Sequence, residues 1–381
     1  MESRDQEDMV AQLLAAAGAK RGDDGRLSWR GLDLSGQRLD GLNLSGYDFS
    51  GSDFSGAQAL GADFTAAILS ECQGKAAKFR GANLQRAIMR GVKMEAADFS
   101  QARFDQSDLL RANFLGAHFL DAIFRAADMR GAFFKQANLS GADLEGCDAR
   151  SASFKNANLH HARLIRADFQ PDSLMDRDDI NRNIIAGADF REANLTGADL
   201  REAKLGGAYY MQACLISANL TGQNFQGVNL AGANLSGALL DDVSFRGVVS
   251  MAGTNLSQTS LIRFDLSEID LAGAVLQQTR ALHANFARAN LENADFSEGN
   301  FTGADFRGCD LRRTNFRHAI LNGAIFHEAH LADANFDHAK LAGADFQGAD
   351  LARVSMKKVD ITRIKGLSLL NTLRLRCLSS L

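Results

Sequence analysis

A large apolar residue returns at every fifth position over most of this 381-residue chain. The first run reads Leu34, Leu39, Leu44, Phe49 and Phe54, then Phe64 and Leu69, and it resumes at Phe79 to continue through Phe99 and Phe119 to Phe169. Within that block only Ala59, Gly74 and Ala149 break the type. A helix repeats every ~3.6 residues and a strand every ~2, so neither has this period. A chain that turns a corner after each five residues does. Four such sides make a coil of twenty residues, and coils of that kind stack at the interstrand spacing of about 4.8 Å.

The other positions of the repeat support that path. Two residues before each centre stands a small residue, usually Ala, as at Ala82, Ala87, Ala97 and Ala102. The residue just before the centre is mostly Asp or Asn, and a polar residue and often Gly follow, as in Gly81-Ala-Asn-Leu-Gln85. Strand alternation turns the centre and the small residue inward and leaves the position between them facing out. One bulky and one small side chain per side then fill a narrow interior. The template also explains a skewed composition of 35 Gly, a single Pro, and 25 Phe against one Trp and three Tyr.

From Leu34 to Ile361 these residues resemble the A(D/N)LXX consensus of the pentapeptide-repeat proteins. The resemblance implies an all-β solenoid, a right-handed quadrilateral parallel β-helix, here with short terminal helices. It also implies a non-catalytic role as a rigid protein-interaction rod. Some members of the family bind DNA gyrase by imitating duplex DNA and give drug or toxin resistance. Others are secreted bacterial effectors or secretion-system accessories.

The centre slips phase twice. Phe169 to Phe190 is 21 residues, read as one coil plus one, and Phe245 to Leu256 is 11, read as two sides plus one. Each slip predicts a single-residue bulge that restores phase. The organisation expected is a capping helix and lead-in over 1–28, a first repeat block over 29–169, a distorted coil or loop over 170–187, further repeats over 188–361 and a tail over 362–381. The N-terminal helix rests on Met9, Val10, Leu13, Leu14 and Ala17 at helical spacing. Segment 170–187 carries the only proline and a run of charges, which makes Pro171, Asp172, Asp176, Arg177, Asp178 and Asp179 a candidate interaction loop. In the basic, apolar tail, Leu367, Leu370, Leu373 and Leu378 cap the last coil, pair with a twin to form a homodimer, or touch a membrane, which would make the rod a membrane-associated structural module.

Little in the chain points to chemistry. No catalytic constellation, cofactor fingerprint or metal-ligand spacing occurs, and the expected number of cofactors is none. His318 and His338 stand one coil apart, and His160 and His161 are adjacent; all four are read as outward or corner residues rather than ligands. Cys72, Cys147 and Cys309 fall in the small inward position, and the odd total of five cysteines suits reduced thiols in a cytoplasmic protein. The acidic N-terminus lacks the form of a signal peptide, and no stretch reaches the ~18 apolar residues of a membrane span.

What remains is the surface. Asp108, Asp128, Asp148 and Asp168, twenty apart, form a column of carboxylates that is a candidate interaction face, with Arg90, Arg130 and Arg150 in another column. Duplex DNA carries one charge per about 1.7 Å, far denser than one such column. Residues 29–170 hold 17 Lys/Arg against 16 Asp/Glu, a net of +1, and the whole chain a net of −4. The expected partner is therefore another protein, whether gyrase, a secretion component or a host protein, and direct nucleic-acid binding is not expected.

Overall fold

The computed structural model describes residues 29–170, 188–201, Ala203, Leu205 and 207–367, together with Gln12. The chain divides into two compact units, Met1–Lys204 and Leu205–Leu381.

In the first unit every parallel pairing from Asp33↔Asp53 to Asp148↔Asp168 joins residues twenty apart, four pairings to each coil. The paired residue is the one just before a centre. At Asp53, Leu34 N donates to its carbonyl at 2.8 Å while its own N–H reaches Leu32 O at 2.9 Å. Corners are closed by short bonds such as Ala57 N to Phe54 O, 2.9 Å. The second residue after each centre takes a left-handed backbone, at φ 65° in Gly36 but also at φ 56° in Arg86 and Arg111. A non-glycine residue there costs up to about 1–2 kcal/mol. The corner recovers part of this by bonding to the next coil, as Arg86 N does to Asp105 O at 2.9 Å. The template Asp or Asn adds a second tie, its Oδ1 accepting from the backbone N–H two residues on, as in Ser35 N to Asp33, 3.0 Å.

The centres are fully buried and stack on one another coil by coil. Phe79, Phe99 and Phe119 lie nearly parallel with centroids 5.0 and 5.2 Å apart, as do Phe114, Phe134 and Phe154 at 5.2 and 5.1 Å. Where Gly74 leaves a centre empty, the Met94 side chain of the next coil occupies the space. The second unit repeats this interior with Phe286, Phe306, Phe326 and Phe346 in one stack and Phe296, Phe316 and Phe336 in another.

The first phase slip is not the single-residue bulge expected. Asn158 pairs with Asp189, Arg163 with Asn194 and Asp168 with Asp199, each thirty-one residues on. A coil plus eleven residues separates them. Phe169 and Phe190 are thus two sides apart rather than four, and the count of 21 between them hides an eleven-residue insertion. The candidate loop residues Pro171, Asp172, Asp176, Arg177, Asp178 and Asp179 lie outside the described residues.

The second slip, in the second unit, is a one-residue bulge. Asn224 pairs with Ser244 at a step of twenty, Asn229 with Ser250 and Asn234 with Asn255 at twenty-one, and Asn255 with Val275 at twenty again. The extra residue is Val249, 61% exposed. Of the terminal helices, the N-terminal one lies outside the described residues apart from Gln12. At the other end the described residues hold a single 3₁₀ turn, Ile361–Arg363, capped by Asp360, whose side chain accepts from Thr362 N at 3.0 Å. Leu367 is half-buried, and Leu370, Leu373 and Leu378 lie outside the described residues.

Candidate functional site

At the Val249 bulge the second unit opens. In regular coils each centre N–H bonds to the coil above, as Leu220 N does to Leu239 O (3.0 Å) and Phe225 N to Ser244 O (2.9 Å). The two sides 239–248 and the two that lie over them, 260–269, make no backbone bond to each other. The amides of Leu240, Phe245, Ser260, Asp265 and Asp270 are left without a backbone acceptor, and the ladder rejoins only where Met251 N reaches Asp270 O at 2.9 Å.

The cause is in the small inward position. Over six successive sides it holds Val243, Val248, Thr254, Thr259, Phe264 and Ile269 in place of Ala. Val and Thr are buried at that position in regular coils, as at Val92 and Thr279, but a phenylalanine beside a centre overfills the narrow interior. Phe264 is accordingly only half-buried, tilted against Phe245 with centroids 6.0 Å apart. The result is an open cleft of about 1010 Å³ whose walls include Arg246, Val249, Asp265, Glu268 and Asp270. The Ser267 hydroxyl, 2.7 Å from Asp265, leads the contacts that hold this carboxyl below the usual carboxylate range. Sequence reading missed the cleft, although its signal was present in the run of bulky residues where Ala is the rule.

The carboxylate column of the first unit is continuous. Asp108, Asp128, Asp148 and Asp168 pair in succession, and the thirty-one-residue step adds Asp199. It is not the bare line of negative charge the sequence suggested. Arg90 meets Asp108 at 2.5 Å, Arg130 meets Asp128 at 2.6 Å, Arg150 meets Asp148 at 2.7 Å and Arg201 meets Asp199 at 2.8 Å. Arg130 and Arg150 also approach the next carboxylate along, at 3.6 and 3.9 Å. Burial works against the charge of Asp128, but the Arg130 hydrogen bonds outweigh it and lower its pKa. At Asp168 burial, with Asp148 and Asp199 adding to it, raises the pKa. These side chains also hold their own corners, since Arg130 N and Arg150 N donate to Asp128 and Asp148 at 3.1 and 3.2 Å.

Three thiols sit where the template places them. Cys72 and Cys309 are buried and bond to Phe49 O (3.0 Å) and Phe286 O (2.8 Å), and burial pushes both pKa values up to about 12. Cys147 is fully buried, its pKa raised by the same cause.

The repeat is matched by family models over most of the chain. One described as pentapeptide repeats matches residues 28–59, 61–95, 184–209, 213–249, 250–286, 284–323, 309–343 and 329–365, and a second, a pentapeptide repeat region, matches 97–171. The chain belongs to the pentapeptide-repeat family. Pentapeptide repeats wind as right-handed quadrilateral β-helices, and the four sides to each coil found here are that quadrilateral.

Among solved pentapeptide-repeat structures, this chain is 18% identical to QnrB1, a plasmid-mediated fluoroquinolone resistance protein; the match covers 57% of this chain and 88% of QnrB1, with a TM-score of 0.24. It is 22% identical to HetL of Nostoc sp. strain PCC 7120, involved in heterocyst differentiation regulation, over 91% of this chain and 95% of HetL, with a TM-score of 0.17. A pentapeptide repeat protein of the Arabidopsis thaliana thylakoid lumen is 25% identical over 34% of this chain and 75% of its own, with a TM-score of 0.15. Comparison with curated proteins finds no match. Among the described residues no helix is long and apolar enough to cross a membrane.

Proposed function

We propose that this pentapeptide-repeat protein is a non-catalytic interaction scaffold that takes an extended segment of a partner protein into the opened seam of its second unit. The observation that carries this reading is the pair of facing strand edges, 239–248 and 260–269, whose backbone groups do not bond to each other. An unpaired edge is a template for an added strand, with main-chain bonds giving affinity and the walls giving selectivity. Asp265, Glu268 and Asp270 outnumber Arg246 along the walls, so a segment with basic side chains fits best.

The test is to pan a library of extended ten-residue peptides on the full chain. Binders are then measured against a seam-closing variant with Val249 deleted and Phe264→Ala. Basic peptides that lose at least tenfold in affinity on the variant support the reading. Failure to select any, or equal binding to the variant, counts against it.

A second reading places the partner, DNA gyrase, on the carboxylate column, and is favoured by the continuation of that column to Asp199. Its weakness is the guanidinium beside each of Asp108, Asp128, Asp148 and Asp199. A gyrase supercoiling assay with and without a fluoroquinolone separates the two. Inhibition or drug protection that Asp128→Lys abolishes favours the column; inhibition that only seam closure abolishes favours the cleft.

A further inference from the structure

We infer that His160, His161 and Glu192 of the first unit form a site for one divalent transition-metal ion of the zinc type. One ligand atom from each of the three lies within 4.8 Å of those of the other two, the only such group of three among the described residues. The thirty-one-residue step creates it. Because Asn158 pairs with Asp189, the corner at Arg191 and Glu192 lies over the corner at His160 and His161, and His161 N donates to Arg191 O at 3.3 Å.

The donor spacing suits a metal better than hydrogen bonding once the two stacked rings rotate to point both lone pairs at one ion. The two rings stack with centroids 4.0 Å apart, and each turns one nitrogen to a different oxygen of the same carboxylate, both at 3.5 Å. That is beyond the ~2.7–3.2 Å of a good hydrogen bond. It is close to the edge of a tetrahedral zinc site, where donors about 2.0–2.1 Å from the ion stand about 3.4 Å apart. His160 Nε2 is a buried atom with no hydrogen-bond partner, and a bound cation would give it one.

The supporting bonds are in place. His160 N donates to Asn158 Oδ1 at 3.0 Å, and His160 O accepts from Gly141 N at 2.9 Å and Ser140 Oγ at 3.1 Å. Asp189 on the same coil is held by Arg191 at 2.7 Å. His161 and Glu192 are 58% and 45% exposed, so the fourth position faces solvent and takes a water. The other stacked imidazole pair, His318 and His338 at 4.7 Å, belongs to no such three-ligand group. An ion at His160, His161 and Glu192 clamps the coil before the eleven-residue insertion to the coil after it.

The experiment is calorimetric titration of the full chain with Zn²⁺, with Co²⁺ absorption as a second readout of tetrahedral ligation. One equivalent is expected to bind, with affinity falling at least tenfold in both His161→Ala and Glu192→Gln and unchanged in His338→Ala. The His161 and Glu192 side chains are exposed, so their replacement does not put the fold at stake. Absence of saturable binding at micromolar ion, or binding that survives both His161→Ala and Glu192→Gln, overturns the assignment.

Discussion

Asp168 pairs with Asp199, thirty-one residues further along the chain, whereas every earlier member of its column pairs with a residue twenty away. The step carries the carboxylate column across the insertion and leaves Asp168 between Asp148 and Asp199, with Arg150 no nearer than 3.9 Å. Its raised pKa means that ionisation opposes folding. The penalty is absent below the unfolded carboxylate pKa of about 3.9 and grows as pH rises to the folded value. Asp168→Asn should therefore stabilise the protein at pH 7, by a few tenths of a kcal/mol after solvent screening. The gain should vanish below about pH 4 in urea titrations followed by circular dichroism.

Asp128 has the opposite sign. Its pKa is lowered on balance, Arg130 outweighing burial, so its contribution is present above the unfolded pKa and lost as pH falls through the folded one. Arg130→Gln should lower stability at pH 7 by up to about 1 kcal/mol, with the difference shrinking in acid and in high salt.

Phe119 lies parallel to Phe99, 5.2 Å away, and edge-on to Phe114 and Phe124 at 5.1 and 5.2 Å. Phe119→Ala should cost about 3–5 kcal/mol in urea denaturation. Phe119→Asp buries a carboxylate with no partner and should prevent the first unit from folding. Asp128→Lys, on the outward side, should leave circular dichroism unchanged. A folded Phe119→Asp protein would refute the inward assignment of the centres.

Thiol labelling gives a rapid check of burial. Cys72, Cys147 and Cys309 should resist alkylation at pH 8 until the protein is unfolded, because burial both covers the sulfur and disfavours the thiolate. Half-exposed Cys214 should react in the native state.

The five-residue period alone made the coil, the inward positions and the Asp108–Asp168 column legible, because each follows from counting. The insertion was not legible in that way. Counting from Phe169 to Phe190 measures chain length, not the side on which the chain re-enters, and 21 residues fit one coil plus one as well as two sides plus eleven. The meeting of Glu192 with His160 and His161 was hidden for the same reason. The neutralised column was readable, since Arg130, Arg150 and Arg201 each stand two residues after their Asp, where the side chain folds back on it. At the seam the bulge was seen in the count, but its consequence depends on the volumes of Phe264 and Ile269, which a count of centres ignores.

The seam also makes a claim about stability. Closing it by deleting Val249 with Phe264→Ala lets two sides bond to the coil above. Up to four recovered backbone bonds at about 1 kcal/mol each, offset in part by the lost contact of Phe264 with Phe245, should raise stability by about 2 kcal/mol in denaturant titration. No gain would mean that another constraint holds the coils apart.

Hydrogen exchange of the full chain, alone and with a selected basic peptide, tests the central claim most directly. The account predicts that the amides of Leu240, Phe245, Asp265 and Asp270 exchange fast in the free protein, while Leu220 and Phe225 are protected, and that the peptide slows the former set. Protection of Phe245 and Asp265 in the free protein, or no change when the peptide is bound, would contradict it.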